Sequence, residues 1–313
     1  MFDELFIENQ IRFMYGKYYN NLISNDFNNI ISIEKSNYDI SVVDCFNNED
    51  ALLNYDKNIM ERLKDFIQIL KQYWNKEHEG YVITTNWHDN VHFDKFIITY
   101  NRIYNSTNSI IFPLVGYHLP SVLKIEDNIS YKHKNNKLFW RGTTTGDDNI
   151  LHNIRYNIIS RNFNIHPDID IGFSNFCQCV YDNNKQAFDI LKKDNLDKKN
   201  QLHFKFILNI EGNDAASSFP WALASNCCPL HNYPFRSETY LFGQGLEPYI
   251  HFVPIKNDGS DLLEIYYWCL NNQEKCETIS LNGKKYMEKY RDVDLFDKIM
   301  TKFFDLYPKT IYN

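Results

Sequence analysis

KFILNIEGNDAASSFPW, Lys205 to Trp221, is the stretch that decides how this chain folds. Its apolar, partly β-branched run (Phe206, Ile207, Leu208, Ile210) reads as a buried strand. The run stops at the turn-forming cluster Glu211-Gly212-Asn213-Asp214, and the small residues Ala215, Ala216, Ser217 and Ser218 follow. Phe219-Pro220-Trp221-Ala222-Leu223-Ala224 then reads as a helix, with its proline confined to the first turn, where no intrahelical donor is lost. That places the helix N-terminus near Ser217 or Ser218, where unpaired N–H groups and the positive end of the dipole face whatever lies beyond the strand. With no bulky side chain in the way, an anionic ligand such as a diphosphate fits there. Strand–small-residue turn–helix units are also routine packing in α/β folds, so the motif alone leaves both readings open.

Working outward, the same pattern repeats. Lys137-Leu138-Phe139-Trp140 is a strand, Arg141 to Asp148 (RGTTTGDD) a polar turn, and Asn149 to Arg161 a helix that Asp147 or Asp148 is placed to cap. Ile169 to Phe173 is a further strand, a polar helical stretch follows, and His251 to Ile255 is another strand. Ser260 to Glu264 opens a helix, with Asp261 and Glu264 at capping-box spacing. Strands alternating with helices indicate a parallel sheet, and ligands of such sheets bind at the strands' carboxyl ends. Upstream, helical patterning covers Ile11 to Leu22 and Ala51 to Trp74, and short strands are expected at Tyr81 to Thr84, Phe96 to Tyr100 and Ser109 to Leu114. The polar, lysine-rich segment Lys124 to Lys137 has the composition of an exposed connector and marks the domain boundary.

The 313 residues are enough for two ordinary cores, and aromatic residues at 16% supply them. A net charge of −7 without a basic block argues against nucleic acid or an anionic membrane as the main partner. The start, MFDELFIENQIRF, lacks the pattern of a signal peptide, no segment has the length of a membrane span, and the final TIYN is not a retention signal. The expected location is cytoplasmic. Seven cysteines, two of them adjacent at Cys227-Cys228, fit reduced thiols better than a disulfide framework. Cys177-Gln178-Cys179 is spaced too closely for a zinc knuckle and reads as buried thiols. Dinucleotide fingerprints and a Walker A sequence are absent.

Three segments in order carry a family resemblance: WRGTTTG (Trp140 to Gly146), KFILNIEGNDAASSFPWALASN (Lys205 to Asn226) and ETYLFGQGLEPYIHFVPIKNDGSDLLE (Glu238 to Glu264). Together they resemble glycosyltransferase family 90, which holds protein O-glucosyltransferases, capsule xylosyltransferases and lipopolysaccharide-modifying transferases, and they are closest to its bacterial branch. The resemblance runs from Leu138 to about Gly283. It implies an α/β protein of GT-B type: two Rossmann-like lobes facing across a cleft, with an added helical N-terminal region. Residues 1–135 would form the acceptor-side lobe, 136–290 the nucleotide-sugar-binding lobe, and 291–313 a helix packing back towards the first lobe. The implied reaction is inverting, metal-independent transfer of a sugar from a donor, UDP-linked in this reading, to a hydroxyl of a glycan, lipopolysaccharide-like or protein acceptor. No cofactor and no metal are implied; the nucleotide-sugar is a substrate.

Without a metal, the charge developing on the leaving diphosphate falls to backbone N–H groups, hydroxyls and arginine. The implied donor-binding residues are Arg141, Gly142, Thr143, Thr144, Arg155, Gly212, Asp214, Ala216, Ser217, Ser218 and Glu238. Each has a plainer role open to it: Arg141 pairing with an acid, the threonines filling a turn, Arg155 lying on a solvated helix face. Family members carry a basic residue early in the helix after the second turn, where this chain has Phe219-Pro220; Arg155 or Arg236 would have to replace that cation. They also place an aspartate at the end of a strand resembling Phe96 to Tyr100, where this chain has Tyr100-Asn101-Arg102, and asparagine cannot act as the base. Asp94 is therefore the candidate catalytic base, with His92 behind it. His88 to His92 (HDNVH) imitates a zinc-protease motif without an obvious third ligand, and Asp168-Ile169-Asp170 sits at a strand start, where coincidence is the better account. The competing reading is a non-catalytic nucleotide-sugar or glycan-binding module that has lost the base.

Overall fold

A computed structural model of the chain describes residues 2–16, 19, 39–41, 57–73, 82–86, 98–104, 109–113, 123, 125–241 and 245–307. The chain divides into two compact units, one made of Met1–Val122, Ser237–Gln244 and Tyr290–Asn313, the other of Leu123–Arg236 and Gly245–Lys289. Helices and strands begin with α1 (Phe2–Tyr15), β1 (Asp39–Ser41), α2 (Lys57–Tyr73), β2 (Val82–Asn86), β3 (Ile98–Thr99), β4 (Asn101–Ile103) and β5 (Ile110–Ile111). Next are β6 (Asn135–Thr143), α3 (Ile154–Asn162), β7 (Ile169–Asn175), α4 (Gln178–Asn183), α5 (Lys185–Asp189), α6 (Lys198–Gln201) and β8 (Phe204–Asn209). Then come α7 (Phe219–Ala224), β9 (Cys228–Tyr233), β10 (Ser237–Thr239), β11 (Val253–Lys256), α8 (Leu262–Asn271), α9 (Gln273–Tyr290) and α10 (Val293–Leu306). No helix among the described residues is long and apolar enough to cross a membrane.

The first unit holds a small sheet in the order β1-β2-β3-β5, parallel except for the β1–β2 pair. Two segments remote in sequence complete it. β10 pairs antiparallel with β4, which sets Glu238 opposite Arg102. α10, capped by the Asp292 carboxylate accepting from Leu295 N, buries Phe296, Ile299, Met300, Phe303 and Phe304. The Tyr15 ring at the end of α1 stacks on Phe303 at 4.7 Å, and its hydroxyl donates to the Phe303 carbonyl at 2.6 Å. A buried phenol is tolerated there because its O–H is satisfied.

The second unit is built on a five-stranded, all-parallel sheet in the order β11-β9-β8-β6-β7. Side-chain alternation divides its strands between two faces. Leu138, Trp140, Phe206, Leu208, Leu230, Val253 and Ile255 pack into one core with Ile158 and Ile159 of α3 and Tyr266 and Cys269 of α8. Phe139 and Ile207 face the opposite way, into a smaller cluster with Leu202 and Ala222. Read from the edge, the strands run second, first, third, fourth, fifth in chain order. The direction of winding therefore reverses between β6 and β8, and the crevice at their carboxyl ends is where ligands of such sheets bind.

Two expected helix starts differ in detail. α3 begins at Ile154 because Asn153, not Asp147 or Asp148, caps it by accepting from Tyr156 N at 2.9 Å. Asp147 instead accepts from Asn149 N at 2.8 Å and holds a turn. The capping box at Asp261 and Glu264 does not close, since the Asp261 carboxylate accepts from Lys256 N at 2.9 Å. Cys177 is half-buried and Cys179 exposed rather than buried, while Cys227, Cys228, Cys269 and Cys276 are buried free thiols.

His231 on β9 supplies a titration in the core. Its imidazole lies 4.4 Å from the Phe219 ring and 4.9 Å from Phe235, and its Nδ1–H donates to the Asn232 carbonyl at 2.6 Å. Burial pushes its pKa down to about 4 from the ordinary 6.5. The unfolded chain thus takes up a proton near 6.5 and the native state only near 4, so the stability present above 6.5 is lost as the pH falls through that window. The limit is roughly 3 kcal/mol. The fall in Tm between pH 6.5 and 4 is expected to be clearly smaller in His231→Phe than in the wild type; equal slopes would show that His231 does not carry this term.

Candidate functional site at the β6–β8 switch point

β6 ends in Trp140-Arg141-Gly142-Thr143, and each residue has a separate constraint. The Trp140 ring folds under residue 142, where an added Cβ would sit 2.4 Å from it, so only glycine fits. The ladder with β7 shifts register between Gly142 and Thr143. Strict alternation would put Thr143 on the Phe139 and Arg141 face, yet at this strand end its hydroxyl accepts from Arg155 of α3.

Arg155, in the first turn of α3, reaches into that position. Its Nε and Nη2 donate to the Ile210 carbonyl at 3.2 and 3.1 Å. Nη1 donates to the Thr143 carbonyl at 3.2 Å, to Thr143 Oγ1 at 2.8 Å and to Thr145 Oγ1 at 2.5 Å. One guanidinium thus ties the end of β8 to the turn after β6. Burial lowers its pKa to about 10, with Asp214 foremost among the groups opposing the shift, so it remains a cation at neutral pH. Gly212 is required by the same packing: a Cβ there would lie 2.7 Å from Thr145 Oγ1 and 2.8 Å from Arg155 Cζ. Residues 143–146 and 210–214 therefore meet at the carboxyl edge of one sheet, at its switch point.

The second turn is pinned from below. Gly212 N donates to the Asp214 carbonyl at 3.1 Å. The buried Glu211 carboxylate accepts from Arg236 N at 2.9 Å and from Asn232 Nδ2 at 3.0 Å, which links the ends of β8 and β9. Sequence reasoning passed over Glu211 as a turn former; an acid directly after a buried strand was the available signal. Ala216 is buried and Ser217 exposed, and the Ser218 hydroxyl donates to Asn209 Oδ1 at 2.7 Å instead of capping α7. α7 is shorter than a strong dipole needs: it has 6 residues, its Phe219 N–H is spent on the Ala216 carbonyl, and Pro220 has none. The cation and the hydroxyls gathered at this edge are thus those of Arg155, Thr143 and Thr145, and the short helix adds little positive field to them.

The other expected donor-site residues have different surroundings. Thr144 is buried, its Oγ1 donating to the Cys177 carbonyl at 2.7 Å and accepting from Cys177 N at 2.9 Å. Arg141 lies on the Phe139 face, with its guanidinium over that ring, and has the pairing role left open for it. It donates to Asp170 Oδ1 at 2.8 Å and to the carbonyls of Asp194, Trp140 and Asp170. Asp170, the second acid of the Asp168-Ile169-Asp170 token, is thereby committed to an ion pair. Glu238 belongs to the first unit, where it pairs with Arg102. Asp94 and His92 lie outside the described residues, as does the HDNVH segment. Asn101 is buried, its backbone N–H donating to Thr99 Oγ1 at 3.0 Å.

Among known proteins, residues 108–312 match the model of glycosyl transferase family 90. The O-glucosyltransferase LpsA of Dichelobacter nodosus is 28% identical over 184 residues, 58% of this chain and 53% of that protein. This chain therefore spans about half of that relative's length. Uncharacterized protein 179R of invertebrate iridescent virus 6 is 34% identical over 34% of this chain and 10% of its own. Human protein O-glucosyltransferase 3 is 33% identical over 26% of this chain and 16% of its own. Among solved structures, the C-terminal domain of the glycosyl transferase group 1 family protein LpcC of Francisella tularensis aligns with a TM-score of 0.32 at 12% identity, covering 54% of this chain and 96% of that domain. With a family model matched over well more than half of its length, this chain belongs to glycosyl transferase family 90.

Proposed function

We propose that this chain transfers a sugar from a nucleotide-sugar, UDP-linked, to a hydroxyl of a glycan, lipopolysaccharide-like or protein acceptor. The observation that carries the reading is the meeting of the two glycine-bearing turns around the Arg155 cation at the switch point of a parallel sheet. A diphosphate leaving group needs charge stabilisation that this edge can supply from Arg155, Thr143, Thr145 and Ser217. In this proposal the chemistry is inverting and independent of metal, and the two units act as the two lobes of a GT-B enzyme. Gly142 and Gly212 shape the donor edge by letting Trp140, Thr145 and Arg155 pack close to the two turns, the small, buried Ala216 lies at the second turn, and Asp214 sets the charge around Arg155. Arg141 supports the site by fixing β6 to β7, and Glu238 by holding β10 in the first unit. Asp94 takes the acceptor's proton, with His92 as the substitute.

The test is a panel of UDP- and GDP-sugars followed by calorimetry and by release of free nucleotide. The wild type is expected to bind a UDP-sugar and hydrolyse it slowly. Asp94→Asn is expected to lower transfer by roughly 10²–10⁴-fold with little change in donor affinity. Tight UDP binding with no transfer from any donor would favour the second reading, a binding module, which Asn101 at the position of the family's acid supports. No binding of any nucleotide-sugar would overturn both.

A further inference from the structure

Gln178 has no place in the site as built so far, and its backbone is unusual. It stands at φ +70, in the left-handed region that side-chain-bearing residues rarely occupy. Such strain persists where the surroundings impose it, and it clusters at ligand sites. Here the imposition comes from β7 and the turn after β6. Thr144 N donates to the Asn175 carbonyl at 3.2 Å, and Thr144 Oγ1 is bonded to both the N–H and the carbonyl of Cys177. That lacing presents Gln178 over the 144–146 turn, where its Oε1 accepts from Gly146 N at 3.4 Å. Gly146 is itself at φ +143, with no room for a Cβ beside Asn153. The Gln178 side chain is exposed, and its Nε2 has no bonding partner among the described residues.

We infer that Gln178 determines donor specificity, with its carboxamide N–H groups donating to a hydroxyl of the nucleotide-sugar held beside Arg155. A neutral carboxamide suits a hydroxyl rather than a phosphate, which the cation takes. That hydroxyl belongs to the transferred sugar, because a ribose contact would be common to every nucleotide-sugar and would not distinguish among donors. This inference rests on the donor-site reading above and adds the residue that distinguishes one donor from another.

Gln178→Gly separates function from stability, because glycine adopts this backbone without strain. The variant is expected to keep a Tm at or above that of the wild type while binding UDP-glucose, as the probe, about 3- to 10-fold more weakly, the loss typical of one uncharged hydrogen bond. Gln178→Glu keeps an oxygen for Gly146 N and removes both donors, so it is expected not to restore affinity. A loss seen with UDP-glucose but not with UDP places the contact on the sugar, as the inference requires; an equal loss with both would place it on the shared nucleotide and overturn the specificity role. Unchanged affinity in Gln178→Gly, or full rescue by Gln178→Glu, would overturn this inference while leaving the donor site intact. Failure of the wild type to bind either probe would overturn the donor site as well.

Discussion

Arg155→Ala is expected to weaken UDP-sugar binding by about 10- to 150-fold and to lower Tm at the same time. A charge-assisted hydrogen bond to a phosphate contributes about 1.5–3 kcal/mol, which is that range of affinity. The stability loss has a separate origin. Removing the guanidinium leaves the Ile210 and Thr143 carbonyls without the donors they now have, at about 1–3 kcal/mol for each acceptor that stays dry. Arg155→Lys keeps the charge, but a single ammonium cannot reproduce a planar fork spanning two carbonyls and two hydroxyls, so it is expected to recover little affinity. Calorimetry with UDP and a thermal scan distinguish the two effects. A folded Arg155→Ala protein with wild-type affinity for UDP would remove Arg155 from the donor site.

Glu238→Ala should give the largest loss of stability outside the site. Arg102 Nε lies 2.7 Å from Glu238 Oε2, and both side chains are only 4% exposed. The guanidinium also donates to the carbonyls of Phe13 at 2.9 Å and Ser109 at 3.0 Å, so one residue joins α1, β4, the approach to β5, and β10. Burial already pulls the Arg102 pKa down, and the Glu238 charge is what opposes it. Taking away that carboxylate strands a buried cation, which costs about 3–5 kcal/mol. The midpoint of urea unfolding reads the effect. Replacing both partners, in Arg102→Met with Glu238→Leu, should recover part of it, because the stranded charge is gone while the Phe13 and Ser109 carbonyls still lack donors. A midpoint unchanged in Glu238→Ala would show that the pair does not hold β10 in place.

Much of the second unit was legible because its signals are local. The runs around Leu138, Ile169, Phe206 and Val253 are short, apolar and bounded by turn residues, and all became strands of the parallel sheet. β9 is not among the expected strands, and Pro229 within it is a residue that argues against a central strand. Pairing with β11 begins at Leu230, so the missing N–H of Pro229 faces no partner strand on that side. The turns after β6 and β8 could be foreseen at one edge, since both follow strands in the same direction. Which arginine occupies that edge could not. Arg141 and Arg155 differ by the partner each finds, Asp170 in one case and the Ile210 carbonyl in the other, and both partners are distant in sequence. Glu238 shows the same limit: its segment resembled part of the donor block, yet Ser237–Gln244 crosses into the first unit to pair with β4.

The most direct test is a crystal structure of the chain with UDP bound. The diphosphate is expected at the carboxyl edge between β6 and β8, within hydrogen-bonding distance of Arg155 and flanked by Thr143 to Gly146 and Gly212 to Ser218. UDP seated elsewhere, or an empty edge at concentrations where calorimetry shows saturation, would contradict the assignment of the donor site.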